Sequence, residues 1–447
     1  NRGLMEFSRK RYIDRLGSMR WNGLVKVITG ARRVGKSYIL NKLFYEFLLN
    51  SGVKKTNIIR FAFDSDEDID RLEDFANGEA VRIKDRKLGY IVNAKVFRRY
   101  ISSLVNDDEK FYLFLDEVQL LDNFVGTLNS YLRHQNLDLY ATGSNSKFLS
   151  SDIVTEFKGR SSELHVQPLV FSEYVEGTGK EAAEAWADYF MTGGIPLVAL
   201  MNDDEEQAQY LKNLTTEIYL KDIIQRNGVR KKKALSQTFA VLASVIGAPV
   251  NPVKIANTFK SSGYGDITSE TVDRFIEYFQ DAFVVKRAEK YNVKGRKYID
   301  SPCKIYFEDI GIRNAGLSFR QIEETHIMEN ILYNELCYRG FSVAVGEMNI
   351  SESTGRRDKN GHIIYAQKSL EVDFIATLGS KKYYIQSALS LTSPEKVLQE
   401  KKSLYYIDDS FKKIVVTRNG LKVMRDEKGI VTIDLFDFLL NEDSLEW

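Results

Sequence analysis

Residues 30–37, Gly-Ala-Arg-Arg-Val-Gly-Lys-Ser, space two glycines, a lysine and a hydroxyl as G-x-x-x-x-G-K-[ST], and the chemistry of that spacing is the holding of a nucleoside triphosphate. Gly30 and Gly35 let the backbone wrap an anion, so that the N–H groups around Arg33, Val34, Gly35 and Tyr38 and the positive end of a helix point at phosphates. Lys36 would neutralise the β- and γ-phosphates, and Ser37 would give its hydroxyl to Mg2+. The second chemical pair is Asp116-Glu117, directly after the apolar run 111–115. Asp116 would hold the metal through water, and Glu117 would orient the attacking water. ATP and Mg2+ are the expected cofactors, with ATP and ADP as substrate and product.

The elements around these residues suit the task. Residues 24–29 read as a buried strand, and residues 39–48 carry apolar side chains at helical spacing until Asn50-Ser51-Gly52 ends the helix. Further strands are expected at 57–64, 111–115, 137–141 and 163–169, with a helix over 92–105, which spells an α/β parallel sheet. Residues 181–226 read as a small helical lid broken at 193–196. Two short helices, 252–260 and 268–281, precede a hairpin of 283–290 and 297–307, the pattern of a winged helix-turn-helix. A helix around 329–339 and strands at 343–349, 369–377, 382–389 and 413–417 form a third unit.

The chain has 447 residues, 43% hydrophobic and 28% charged, enough for several cores, with a net charge of +1 that argues neither for nor against a polyanionic partner. A local field exists, however. No acid occurs between 225 and 265, whereas Arg226, Arg230, Lys231, Lys232, Lys233, Lys254 and Lys260 do, and the hairpin adds Lys286, Arg287, Lys290, Lys294, Arg296 and Lys297. DNA is therefore the candidate partner of the winged helix, with RNA or an acidic protein as the alternatives. Only two cysteines, Cys303 and Cys337, are present and far apart, so neither a disulfide framework nor a zinc site is expected, and a cytoplasmic setting is. The longest uncharged stretch outside the loop's surroundings, 234–253, holds polar residues and two prolines and reads as a buried helix and turn, not a membrane span.

The phosphate loop, the apolar strand ending in Asp116-Glu117 and the strand ending in Thr142-Gly143-Ser144-Asn145-Ser146 together resemble the AAA-type ATPases of bacteria and archaea. Gly159-Arg160, the phrase at 169–174, Gly193 to Pro196 and the phrase at 306–311 extend the likeness to the group with a winged helix and a PD-(D/E)XK restriction-endonuclease-like C-terminal domain. The resemblance implies an ATPase core at 1–175, a lid at 176–233, a winged helix at 234–310 and a nuclease-like α/β domain at 311–447. It implies that Asn145 is the polar sensor of the γ-phosphate and that Arg160 is a finger arginine inserted across a subunit interface, which would require a homo-oligomer. In the last unit Glu371 and Asp373 match the acids of a nuclease, with Glu329 or Glu335 on the preceding helix. Gln386 and Ala388 stand where an active member has an acid and a lysine, so the domain is expected to be degenerate and without nuclease activity. The expected activity is Mg2+-dependent ATP hydrolysis coupled to a partner, the alternative being a slow ATP-gated switch.

Overall fold

The computed structural model describes all residues except 1–5, 87, 144–156, 158, 264–266, 296, 419 and 421, with backbone only for 297–302. A five-stranded sheet is formed by β1 (Val25–Thr29), β2 (Ile58–Ala62), β5 (Phe111–Asp116), β6 (Leu137–Thr142) and β7 (Ser161–His165). Its order is β2-β5-β6-β1-β7 and every pairing is parallel. A small hairpin of β3 (Arg82–Asp85) and β4 (Gly89–Val92) lies apart from it.

β1, β5 and β6 are buried along their whole length because both faces of the sheet are covered; β5 reads as an apolar run up to Asp116, whereas β1 and β6 each bury one charge, Lys26 and Asp138, which pair with each other. Alternate residues feed two cores. Ile28, Tyr112, Phe114 and Tyr140 face the helix that follows the phosphate loop. Val27, Leu113 and Leu139 face the opposite layer, with Leu72 and Phe97. Phe44, wholly buried, packs its ring 5.7 Å from that of Phe114 and 5.0 Å from that of Tyr140, a burial that contributes about 2 kcal/mol. The helix bearing it runs from Lys36 to Asn50 but is wound as a π-helix over Ile39–Phe44, which the apolar spacing does not reveal.

The lid is helical, in Ala182–Thr192, Pro196–Ala199 and a long run from Asp204 to Asn227. Three further helices, Lys232–Ser244, Pro252–Ser261 and Ser269–Asp281, lead to the antiparallel hairpin β8 (Val285–Asn292) and β9 (Lys297–Phe307). That hairpin is not a detached wing. β8 pairs in parallel with β10 (Ser342–Arg357), so the hairpin is the edge of an eight-stranded sheet and sheet hydrogen bonds cross position 310, where the sequence suggested a boundary.

The rest of that sheet is β11 (Ile363–Leu378), β12 (Lys381–Ala388), β13 (Lys412–Thr417), β14 (Met424–Arg425) and β15 (Val431–Asp434). β10 and β11 are each 16 residues long, about twice the length expected from apolar alternation, because their distal halves leave the core: residues 353–369 are exposed throughout. Among the described residues no helix is long and apolar enough to cross a membrane, and Cys303 and Cys337 are free thiols.

Candidate functional site

The phosphate loop bridges the end of β1 and its helix, and its conformation demands glycine. Gly30 has φ 139°, and a β-carbon there would lie 2.2 Å from the Val166 carbonyl oxygen, so the loop closes directly onto the segment that follows β7. Gly35 has φ 95° and Arg33 φ 68°. Lys36 is buried, with Nζ donating to the carbonyls of Gly30 (2.9 Å) and Ala31 (2.7 Å). Burial pulls its ammonium down to about 8, against the pull of Glu117 and Asp116. A group in that position gains from a polyanion that restores its charge.

Asp116 is buried at the tip of β5, where it accepts from the Thr142 hydroxyl and from Asn41 Nδ2 at 3.1 Å. Thr142 also accepts from the Glu117 N–H at 3.3 Å, so the end of β6, the strand between β1 and β5, sets the position of both acids. Glu117 itself turns out of the strand at φ 52° and takes a hydrogen bond from the Gln119 amide. Asp64, beyond β2, faces the same space. Burial first, then Glu117 and Asp116, push its carboxyl upward. This surplus of carboxylate near Ser37 fits a divalent cation. Among the described residues no three His, Cys, Asp or Glu are placed to hold a metal alone, so the shell would need phosphate oxygens and water besides Ser37 and Asp116.

Arg33, Val34, Gly35, Lys36, Ser37 and Tyr38 all line one cavity of about 810 Å³ between the sheet and the lid. Its far wall is Pro196, Leu197 and Leu200 together with Asp222, Gln225 and Arg226. Arg226 pairs with Asp222 at 2.9 Å, Arg32 of the loop reaches the same carboxylate at 3.4 Å, and Tyr219 donates to the Arg32 carbonyl at 2.8 Å. The lid thus contributes a cation to the phosphate end. Charge counting placed Arg226 in a nucleic-acid face, but it follows Asp222 by one helical turn, a spacing that turns it inward. Asn145, the expected sensor, lies outside the described residues. Arg160 is exposed just before β7, its carbonyl accepting from Val25 N at 3.0 Å, so it sits at the opposite end of the sheet from the loop and does not line the cavity.

Three cations of the basic hairpin are neutralised within the chain. Lys286 pairs with Glu308 (3.5 Å), Arg287 with Asp273 (3.2 Å) and Lys290 with Glu347 (2.8 Å), because β8 packs between a helix and β10 and is not free in solvent. Exposed cations sit instead on the β10–β11 arm. Residues 353–368 carry Arg356, Arg357, Lys359 and Lys368 against Asp358 alone, and among the described residues Arg356 and Lys359 make no ion pair.

The nuclease-like constellation is also rearranged. Asp373 accepts from Ser387 N (2.8 Å) and its own N–H donates to Gln386 Oε1 (3.3 Å). A lysine from β9 meets these acids instead: buried Lys304 lies 2.9 Å from Glu329 and 2.6 Å from Glu371, and Tyr306 donates to Glu329 at 2.5 Å. Glu335 is elsewhere, paired with Arg339 at 2.7 Å. The available signal for Lys304 was its place in the apolar strand Cys303–Phe307, whose other side chains are apolar or aromatic. Burial, then Glu329, push the Asp373 carboxyl far up, so Lys304 does not fully offset the cluster.

Comparison with known proteins agrees with this geometry. Residues 22–175 match the model of an AAA domain, and residues 183–323 match a domain of unknown function, DUF8612. An uncharacterized protein of Haemophilus influenzae is 28% identical over 439 residues, covering 97% of this chain and 98% of that one. Another from Methanocaldococcus jannaschii is 26% identical, covering 88% and 84%. Among solved structures the chain is similar to Aeropyrum pernix ORC1 in complex with DNA, at 16% identity over 69% of this chain and 91% of that one with a TM-score of 0.28. It is likewise similar to the replication initiator DnaA bound to AMPPCP and single-stranded DNA, at 14% identity over 61% and 87% with a TM-score of 0.30. The parallel sheet, the loop at the C-terminal end of β1 and the match over residues 22–175 make this part of the chain similar to AAA-type P-loop domains.

Proposed function

We propose that the chain binds ATP with Mg2+ in the cavity between sheet and lid, hydrolyses it, and uses the nucleotide state to alter its hold on a nucleic-acid partner. The observation that carries this is the single cavity shared by buried Lys36, Ser37, Glu117 and the lid's Arg226. Lys36 and Arg226 would lie along the phosphates, Ser37 and Asp116 would share the metal, and Glu117 would take a proton from the attacking water as the bond from the γ-phosphorus to the bridging oxygen breaks, leaving ADP and phosphate. Mg2+, when bound, would offset charge on the phosphate oxygens. Leu197, Leu200 and Leu120 offer the apolar walls that a nucleoside needs. Asn145 keeps its proposed role as sensor, and Arg160, exposed beside an edge strand, is proposed to act on a neighbouring copy.

In this reading residues 1–175 are the ATPase core and 176–233 its lid, while 234–310 and 311–447 are winged-helix-like and nuclease-like units that share one sheet. The nucleic-acid contact moves from the hairpin to the β10–β11 arm, a two-stranded ribbon of a width that a major groove admits. The lysine-filled acid cluster argues against a nuclease. A slow switch is the second reading, favoured by the Gln119 amide on the Glu117 carboxylate, which restrains the base. Steady-state ATP turnover tests the proposal: Lys36→Ala and Glu117→Gln must each lose turnover by about a hundredfold or more, and wild-type rates in either variant would refute it. Salt titration of duplex binding tests the arm, since Arg356→Glu with Lys359→Glu must flatten the slope of affinity against salt.

A further inference from the structure

A second cavity, of about 460 Å³, lies on the other side of β7 from the loop, where the N-terminal helix Lys10–Ser18, the helix Ser269–Asp281, β8 and the helix Glu324–Tyr338 meet. Four of its lining residues are cations, Arg11, Arg15, Lys286 and Arg287, against one carboxylate, Glu308, which Lys286 and His165 already engage. Arg11 Nε and Arg287 Nε are enclosed yet have no hydrogen-bond acceptor. Enclosed guanidinium donors without an acceptor are costly, and an anion with several oxygens would satisfy them. Phe283 stands in the wall at φ 55°, a conformation that a bulky residue adopts only at a cost, with its ring 5.0 Å from that of His165.

This cavity is wired to the phosphate loop. His165 Nε2 lies 3.1 Å from Glu308 and its Nδ1 lies 2.9 Å from the hydroxyl of Thr29, the residue before Gly30. We propose that the second cavity binds a phosphate-bearing small molecule, held by Arg11, Arg15 and Arg287, and that its occupation reaches the loop through Glu308, His165 and Thr29. The binding step stands whatever the loop itself holds; only the consequence for ATP rests on the function proposed above.

Inorganic pyrophosphate is the probe, titrated calorimetrically into full-length Lys36→Ala protein so that the loop's lysine plays no part. Saturable binding with one site per chain is expected there, weakened at least tenfold by adding Arg11→Gln and Arg15→Gln. A second variant, Gln280→Trp, fills the cavity without removing a cation and must weaken binding as well. Hydrogen exchange of residues 29–37 must change when pyrophosphate is added to the Lys36→Ala protein and must not change when the two arginine substitutions are also present. Absence of saturable binding in the Lys36→Ala protein, or equal affinity in all of these variants, would overturn the proposal, and neither outcome touches the ATPase measurements.

Discussion

Nucleotide binding must take up a proton at mildly alkaline pH. With the buried Lys36 titrating at about 8, about a tenth of the unliganded molecules hold it neutral at pH 7, about half at pH 8 and about nine in ten at pH 9. A bound triphosphate returns it to the ammonium form, so calorimetry of a non-hydrolysable ATP analogue in buffers of different ionisation enthalpy should read about 0.5 proton per site at pH 8 and about 0.9 at pH 9. Affinity should fall about tenfold for each pH unit above 8. The same group sets a sign for stability. Its folded value lies below the ordinary 10.5, so the unliganded protein carries a penalty of about 3 kcal/mol below pH 8, and the penalty fades as pH rises from about 8 to 10.5. Lys36→Met removes both effects. Absence of buffer-dependent uptake at pH 9 in the wild type, or equal uptake in Lys36→Met, would refute the assignment.

Four other substitutions probe the geometry. Gln119→Ala removes the amide contact on the Glu117 carboxylate and should raise steady-state turnover several-fold; unchanged or lower turnover would show that the contact does not restrain the base. Arg226→Ala should weaken ATP-analogue binding about tenfold or more in a fluorescence titration, as loss of a charge-assisted contact does. Gly30→Ala forces a β-carbon to within 2.2 Å of the Val166 carbonyl at φ 139°, so denaturant unfolding should show a loss of about 3 kcal/mol or more, and a loss under about 1 would contradict the loop's closure onto the segment after β7. Lys304→Met leaves Glu329, Glu371 and Asp373 without their cation and should destabilise by about 3–5 kcal/mol near neutral pH. That loss should shrink as acid protonates the carboxyls, and a pH-independent loss would point to packing alone.

The parallel sheet and the loop were legible because each depends on local order: a strand buried on both faces is mainly apolar, even where β1 and β6 each admit one charge that pairs with the other, and a phosphate cradle must place its glycines at fixed spacing. Arg226, Thr142 and Asp64 were not legible as site residues, because nothing local says that a helix more than 180 residues downstream and the end of β2 face the same cavity, or that the end of β6 holds Asp116. Charge counting misled for a related reason. Lys286, Arg287 and Lys290 look like an open basic strand until Glu308, Asp273 and Glu347 arrive from three other elements. Lys304 shows the same limit, since its partners Glu329 and Glu371 come from a helix and a strand that follow it in the chain and meet it only in space.

The phrase at 306–311 looked like a family label, and the structure gives it a physical task. Glu308 engages His165 beside the phosphate loop, while Asp309 accepts from Gly194 N at 2.7 Å, where the lid turns, and from Ile312 N at 2.9 Å, where the next helix starts. Gly311 must lack a side chain because a β-carbon would lie 2.0 Å from the Thr192 carbonyl oxygen. Phe307, one residue earlier, exchanges hydrogen bonds with Asn330 in the C-terminal unit, donating to its Oδ1 at 2.8 Å and accepting from its Nδ2 at 2.8 Å. Five consecutive residues therefore touch the core, the lid and the last domain at once, through buried polar contacts that cannot be partly broken cheaply. A lid that shifts as nucleotide comes and goes must carry Gly194, hence Asp309, hence β9 at the edge of the eight-stranded sheet whose β10 and β11 run out into the exposed arm. That linkage makes this segment the place where nucleotide state would be felt by whatever the arm holds.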